Sequence, residues 1–252
     1  MLIDTHVHLS SFSDIPEVIE NSRRKNIQAI LAVGGNQESS IECLDLSKEY
    51  PKYVFPGMGI HPSEILNEDI KNTIQLIEDS SSELVAIGEI GLDYHYSFAK
   101  EEVVREKQRQ VYIELLRVAN NAELPVSIHS RAAYSDSLNL LLENGPEKAV
   151  FHWYDGPLST LNEILDQGFY VSATPAIEYS KGHRKVMEDT PLERILVETD
   201  SPIYLRSLKR RSEPSDILLT LVELAKIKEQ DLEKVIEVTG RNAMQLFDKM
   251  RL

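Results

Sequence analysis

The sequence predicts an α/β protein, a single-domain (β/α)8 TIM barrel over residues 1–252, and three observations predict it. Eight short apolar runs recur along the chain, helical patterns alternate with them, and residues suited to metal chemistry fall at the carboxyl ends of the runs. Continuous apolar strands alternating with helices read as a parallel sheet covered on its outside, and eight such units point to a barrel. An open doubly wound sheet would also alternate in this way, but no Gly-x-Gly-x-x-Gly stands in the first strand-to-helix turn, so a dinucleotide fold has little support.

The strand candidates in order are residues 2–3, 29–33, 53–55, 84–87, 126–128, 149–151, 169–171 and 195–197. Helical periodicity falls between them at 16–25, 39–50, 69–79, 102–122, 135–143 and 158–167, and two further helices are expected at 215–226 and 230–250. Within the long fourth helix, Tyr112, Leu115, Leu116 and Ala119 keep the spacing of an inner face. No Pro/Gly/Ser-rich linker or fixed-period repeat divides the chain.

Composition narrows the function classes. With 42% hydrophobic and 27% charged residues the balance is that of a globular chain. The net charge of −14 argues against broad non-specific binding to polyanions, while leaving room for a local cationic site. The single cysteine, Cys43, excludes an internal disulfide and reads as a buried thiol. The amino terminus shows neither a leader nor an apolar span, so a cytoplasmic protein is expected.

The chemistry-bearing residues follow the strands. Alternation in Asp4-Thr5-His6-Val7-His8 puts His6 and His8 on one face. Glu89, His129, His152 and Asp200 each follow a later apolar run. A lone strand-end histidine is more often a hydrogen-bonded core or surface residue. Six aligned groups are different: left unpaired in a core, each would cost on the order of 1–3 kcal/mol. Four imidazoles and two carboxylates suit two divalent metal ions, Zn, Mn or Mg, better than one tetrahedral ion.

At these residues the sequence resembles the TatD-type metal-dependent deoxyribonucleases of the amidohydrolase superfamily. The resemblance spans almost the whole chain. It is carried by Asp4-Thr5-His6-Val7-His8-Leu9, Gly59-Ile60-His61-Pro62, Gly88-Glu89-Ile90-Gly91-Leu92-Asp93-Tyr94, Ile128-His129-Ser130-Arg131, His152 with Gly156, Glu198-Thr199-Asp200-Ser201-Pro202 and Arg211-Ser212-Glu213-Pro214. It implies that His6, His8 and Asp200 hold one metal, His129 and His152 the other, and that Glu89 bridges them. It further implies DNA as substrate, cleaved by a metal-activated water that loses its proton to Asp200, in the manner of a 3'-5' exonuclease on single strands. His61, Arg131 and Arg211 are then substrate or phosphate contacts, Arg211 within a family element.

Other residues divide between two readings. His95 stands near enough to the motif to approach a leaving group, or is a solvated loop histidine. In the basic run Lys209-Arg210-Arg211, which lies after strand 8 where barrel phosphate sites often form, Lys209 reads as solvated. His183, among Lys181, Arg184 and Lys185, reads as an exposed helix start.

The chain departs from the family pattern at His152-Trp153-Tyr154-Asp155-Gly156. Trp153 and Tyr154 offer stacking surface for a base, worth on the order of 1–3 kcal/mol per base. Asp155 adds negative charge where phosphate would lie. Two alternatives to the nuclease therefore stand: an amidohydrolase of a small-molecule amide or aminoacyl ester, and a metal-binding subunit of a larger complex.

Overall fold

The computed structural model describes residues 1–252. Strands β1 (Ile3–Val7), β2 (Ala29–Val33), β3 (Val54–Met58), β4 (Ala86–Asp93), β5 (Val126–Arg131), β6 (Ala149–Phe151), β7 (Tyr170–Ala173) and β8 (Ile195–Val197) form one sheet in sequence order. Every neighbouring pair is parallel. The sheet curls until its ends meet: Val7 and Ser201 form a parallel bridge, and the His8 N–H donates to the Ser201 carbonyl at 2.8 Å. The expected barrel is the observed one.

Helices α1 (Ile15–Arg24), α2 (Gln37–Glu49), α3 (Ile70–Ser80), α4 (Glu102–Asn121), α5 (Tyr134–Asn144), α6 (Leu158–Asp166) and α7 (Lys181–Asp189) alternate with the strands, and α8 (Ile217–Lys228) and α9 (Leu232–Leu246) follow them. Side chains of Asp14, Asn36, Asp69 and Ser180 accept from the first turns of α1, α2, α3 and α7, satisfying N–H groups that the helix itself leaves open. Tyr112, Leu115, Leu116 and Ala119 of α4 are buried, as their spacing predicts, and Cys43 is buried as a free thiol.

Strand alternation splits the core. Ala29, Leu31 and Val33 join a cluster with Ile3, Phe55, Val85 and Tyr170, while Ile30 and Ala32 join the larger cluster beneath the helices. Leu246, Phe247 and Met250, at and beyond the end of α9, belong to the first cluster and close it. Most strand residues in that cluster lie near strand amino-terminal ends, so it forms the barrel floor and leaves the carboxyl-terminal mouth for chemistry. No helix is long and apolar enough to cross a membrane.

Two local expectations need correction. His183 is not an exposed helix start but a fully buried residue of α7, whose Nε2 accepts from the Thr174 N–H at 3.1 Å and whose Nδ1 donates to the Tyr154 carbonyl at 2.9 Å. Its charged neighbours in sequence point outward while the helix turns this one residue inward. Tyr154 is only 1% exposed, its hydroxyl donating to the Pro157 carbonyl at 2.9 Å, so it offers no face to a base. Beyond Asp200, β9 (Tyr204–Leu205) and β10 (Arg210–Arg211) pair as an antiparallel hairpin.

Candidate metal centre

Glu89 sits at the centre of the barrel mouth, 2% exposed, and its two carboxylate oxygens face different histidines. Oε2 lies 3.4 Å from both His6 Nε2 and His8 Nε2 on and just after β1. Oε1 lies 2.8 Å from His129 Nδ1 on β5, 2.7 Å from His152 Nε2 after β6, and 3.5 Å from His61 Nε2 after β3. Asp200, after β8, closes the first group, with Oδ1 at 3.4 Å from His8 Nε2 and 3.7 Å from His6 Nε2.

The backbone is shaped for this convergence. Gly91 on β4 has φ +142°, and a Cβ there would stand 2.0 Å from the His129 carbonyl oxygen, so only glycine lets β4 and β5 approach so closely beside Glu89. Asp200 and Trp153, each just past a strand end, take left-handed φ values of +48° and +42°. Such backbone costs about 1–3 kcal/mol per residue and gathers at sites where surrounding structure enforces it.

These residues fit divalent cations. Two ligand atoms, each about 2.1 Å from one tetrahedral ion, stand about 3.4 Å apart. That is the separation of His6, His8 and Asp200 donor atoms from their carboxylate or imidazole neighbours, and of His129 Nδ1 from His152 Nε2 at 3.4 Å. His6 Nε2 is fully buried without any hydrogen-bond partner, a loss that a cation would remove. His6 and His152 stack with ring centroids 4.1 Å apart, a poor arrangement for two imidazolium rings but a natural one for two neutral ligands. His6, His8 and Glu89 form one compact ligand group, and His61, Glu89 and His129 another.

Electrostatics agree with a carboxylate centre ringed by imidazoles. Burial would raise the Glu89 carboxyl, yet His152 and His129, at 2.7 and 2.8 Å from its Oε1, hold it well below the carboxylate range. Burial is likewise outweighed at Asp200 by His8, His6 and His152, which keep it ionised. Burial pushes His61 down to about 3, so it is neutral. Asp4, by contrast, gives its carboxylate to the Thr199 hydroxyl at 2.6 Å and backbone N–H at 3.0 Å.

Outer partners orient the inner ring nitrogens. Asp93 Oδ2 accepts from His129 Nε2 at 2.9 Å, Glu198 Oε1 lies 3.2 Å from His152 Nδ1, and Ser127 Oγ lies 3.3 Å from His6 Nδ1. Each contact leaves the other ring nitrogen turned toward the centre. Asp93 and Glu198 both lie within the motifs that carry the resemblance, yet this role was not legible for either of them there. A signal for Asp93 existed, since it lies four residues after Glu89 on one strand and hence on the same face.

Above the cluster opens a cavity of about 390 Å³, lined by His8, His61, Glu89, His129, His152 and Asp200 together with Arg131, Trp153, Tyr96, Ser130 and Asp155. His6 lies buried beneath it. Arg131 is anchored through Nε to Asp93 Oδ2 at 2.7 Å and covers the Tyr96 ring at 4.6 Å. Asp155 accepts from the Tyr134 hydroxyl at 2.7 Å. His95 and Arg211 are exposed and lie outside the cavity lining; Arg211 borders a separate groove with Phe12 and Pro202.

A (β/α)8 barrel with imidazoles and carboxylates gathered at its carboxyl-terminal mouth defines a metal-dependent hydrolase. A family model described as TatD related DNase matches residues 3–248, and the chain belongs to that family. It is 35% identical to a human protein named deoxyribonuclease TATDN3, over 99% of this chain and 96% of that one. It is 30% identical to the Bacillus subtilis metal-dependent hydrolase YabD, over 98% of this chain and 99% of that one. Among solved structures, the TatD homologue YJJV of Escherichia coli shares the fold with a TM-score of 0.89 at 22% identity, covering 98% of each chain.

Proposed function

We propose that this chain is a deoxyribonuclease that hydrolyses phosphodiester bonds with two divalent cations, Zn, Mn or Mg, and that it works from the 3' end of single-stranded DNA. The observation that carries the reading is the division of Glu89, one oxygen toward His6 and His8 and the other toward His129 and His152, beneath a cavity walled by Arg131. In this reading His6, His8 and Asp200 hold one cation, His129 and His152 the second, and Glu89 is shared. Bound there, divalent cations supply Lewis acidity and make a water acidic enough to lose a proton near neutral pH.

The chain's own groups do the rest. Asp200 Oδ1, ionised at the cavity floor, accepts the proton of the attacking water. Arg131, steadied by Asp93, presents its guanidinium to phosphate oxygens. Neutral His61 contacts the same phosphate, and Trp153 offers its ring to a base. Asp155 in the wall favours a second reading, a small-molecule amide or aminoacyl ester whose ammonium group would pair with it.

The test is elemental analysis followed by hydrolysis of labelled single-stranded DNA by wild type, Glu89→Ala and Asp200→Asn. Glu89→Ala is expected to lose metal, and Asp200→Asn to lose turnover by roughly 10²–10⁴-fold while staying folded. Metal-loaded wild type that leaves DNA intact but turns over aminoacyl esters would move the reading to the second substrate class.

A further inference from the structure

In a chain of net charge −14, one stretch runs the other way. From Ser201 to Ser212 there are four cations, Arg206, Lys209, Arg210 and Arg211, and no acidic residue. The stretch leaves β8 directly after Asp200 and folds into the β9–β10 hairpin, whose four-residue loop is Arg206-Ser207-Leu208-Lys209. Of its cations, Arg210 alone is neutralised, by two hydrogen bonds to Asp216 at 2.7 and 2.8 Å. Arg206, Lys209 and Arg211 are exposed and make no ion pair.

Aromatic faces accompany these charges. Tyr204, paired across the hairpin with Arg211, is 61% exposed. Tyr179, in the segment joining β7 to α7, is 50% exposed, and the Arg206 guanidinium stands 5.9 Å from its ring centroid. Segments following strands 7 and 8 are also where barrels commonly bind phosphate groups.

We propose that the β9–β10 hairpin and the neighbouring Tyr179 form a track for single-stranded DNA, with Arg206 and Lys209 on backbone phosphates and Tyr179 and Tyr204 under unpaired bases. The proposal rests on the nuclease reading and extends it from the scissile phosphate to the nucleotides beyond. A single strand fits better than a duplex for two reasons. Exposed tyrosine faces stack only on bases freed from pairing, and Glu89, 2% exposed at the bottom of the mouth, is reached by a flexible strand rather than a rigid rod. The track also reconciles an acidic protein with an anionic substrate, since repulsion over the whole surface is offset at one strip beside the site.

The probe is a fluorescein-labelled oligothymidylate, its binding read by anisotropy over a salt series. It is offered to metal-loaded protein carrying Asp200→Asn, so that cleavage does not interfere. Adding Arg206→Gln with Lys209→Gln is expected to weaken binding about tenfold and to flatten the dependence of log Kd on log salt by about 1.4, near 0.7 for each phosphate no longer neutralised. Tyr179→Ala with Tyr204→Ala is expected to weaken binding about tenfold with the salt slope kept. Arg206→Lys should restore part of the lost affinity, and thermal unfolding checks that each variant is folded.

Lys25→Gln with Lys249→Gln removes the same charge at the opposite end of the barrel. Equal effects from this pair and the hairpin pair, or no binding by the parent, would overturn the track. Cleavage of the oligonucleotide by the wild-type sequence is scored separately. Hairpin-dependent binding without cleavage sinks the nuclease reading and leaves the track; cleavage with a silent hairpin does the reverse.

Discussion

Asp93 Oδ2 accepts from His129 Nε2 at 2.9 Å, and this contact decides which imidazole nitrogen of His129 faces Glu89. Because Asp93 is fully buried and also receives the Arg131 Nε at 2.7 Å, one carboxylate sets both the His129 nitrogen that faces Glu89 and the arginine on the cavity wall. Asp93→Asn puts an amide where two donors need an acceptor. Metal affinity is expected to fall by about 10–100-fold, measured by chelator competition on the purified protein. An unchanged affinity would reduce Asp93 to packing.

Removing the cations should be visible in stability as well as turnover. Glu89, Asp93, Glu198 and Asp200 bring four acidic groups to one end of the barrel, and His6 Nε2 is left there without a partner. A cation present at about 100 times its Kd contributes about 2.7 kcal/mol, which for a domain of this size is a shift of about 5–11 °C. Thermal scans before and after chelation, and after restoring Mn or Zn, measure it. Identical midpoints in all three would mean that the fold holds no cation.

The strand-end residues could be read in sequence because the two periods involved are local: alternation along a strand, and one strand per unit. What could not be read depends on curvature. That Glu89 divides its oxygens between two histidine groups follows from how far β4 stands from β1 and from β5 in a closed barrel, and no spacing along the chain encodes it. His183 misled because sequence neighbours are not spatial neighbours: Lys181, Arg184 and Lys185 face water while His183 reaches the Tyr154 carbonyl. The β9–β10 hairpin lacked a turn signal, since Lys209 occupies φ +52° where glycine or asparagine would have marked the turn.

Gly91 tests whether close approach of β4 to β5 is required. Gly91→Ala places a methyl 2.0 Å from the His129 carbonyl oxygen and adds the strain of φ +142°. A loss of more than about 3 kcal/mol in urea unfolding is expected, together with lower metal content. Gly168→Ala is the control: its φ is +80°, but the nearest atoms belong to the Arg194 guanidinium at 3.6 Å, and about 1 kcal/mol is expected. Equal losses at the two positions would mean that backbone conformation, not the approach of β5, sets the requirement.

His183 makes stability depend on pH in a direction fixed by its partners. Burial lowers its pKa from the ordinary 6.5, with the Tyr154 carbonyl as the opposing contact, and the Thr174 N–H aimed at Nε2 blocks a second proton. Above pH 6.5 the ring is neutral whether folded or unfolded, so it adds no pH dependence there. As pH falls below that value, the unfolded chain takes up a proton that the fold refuses. Stability then drops by up to about 1.4 kcal/mol per pH unit until the folded pKa is passed. His183→Gln keeps an acceptor for Thr174 and a donor for Tyr154 but does not titrate, so its stability curve should converge on that of the wild type as the pH is lowered from neutral. Urea unfolding of both proteins across that range measures the difference, and curves that stay parallel would show that His183 is protonated equally in both states.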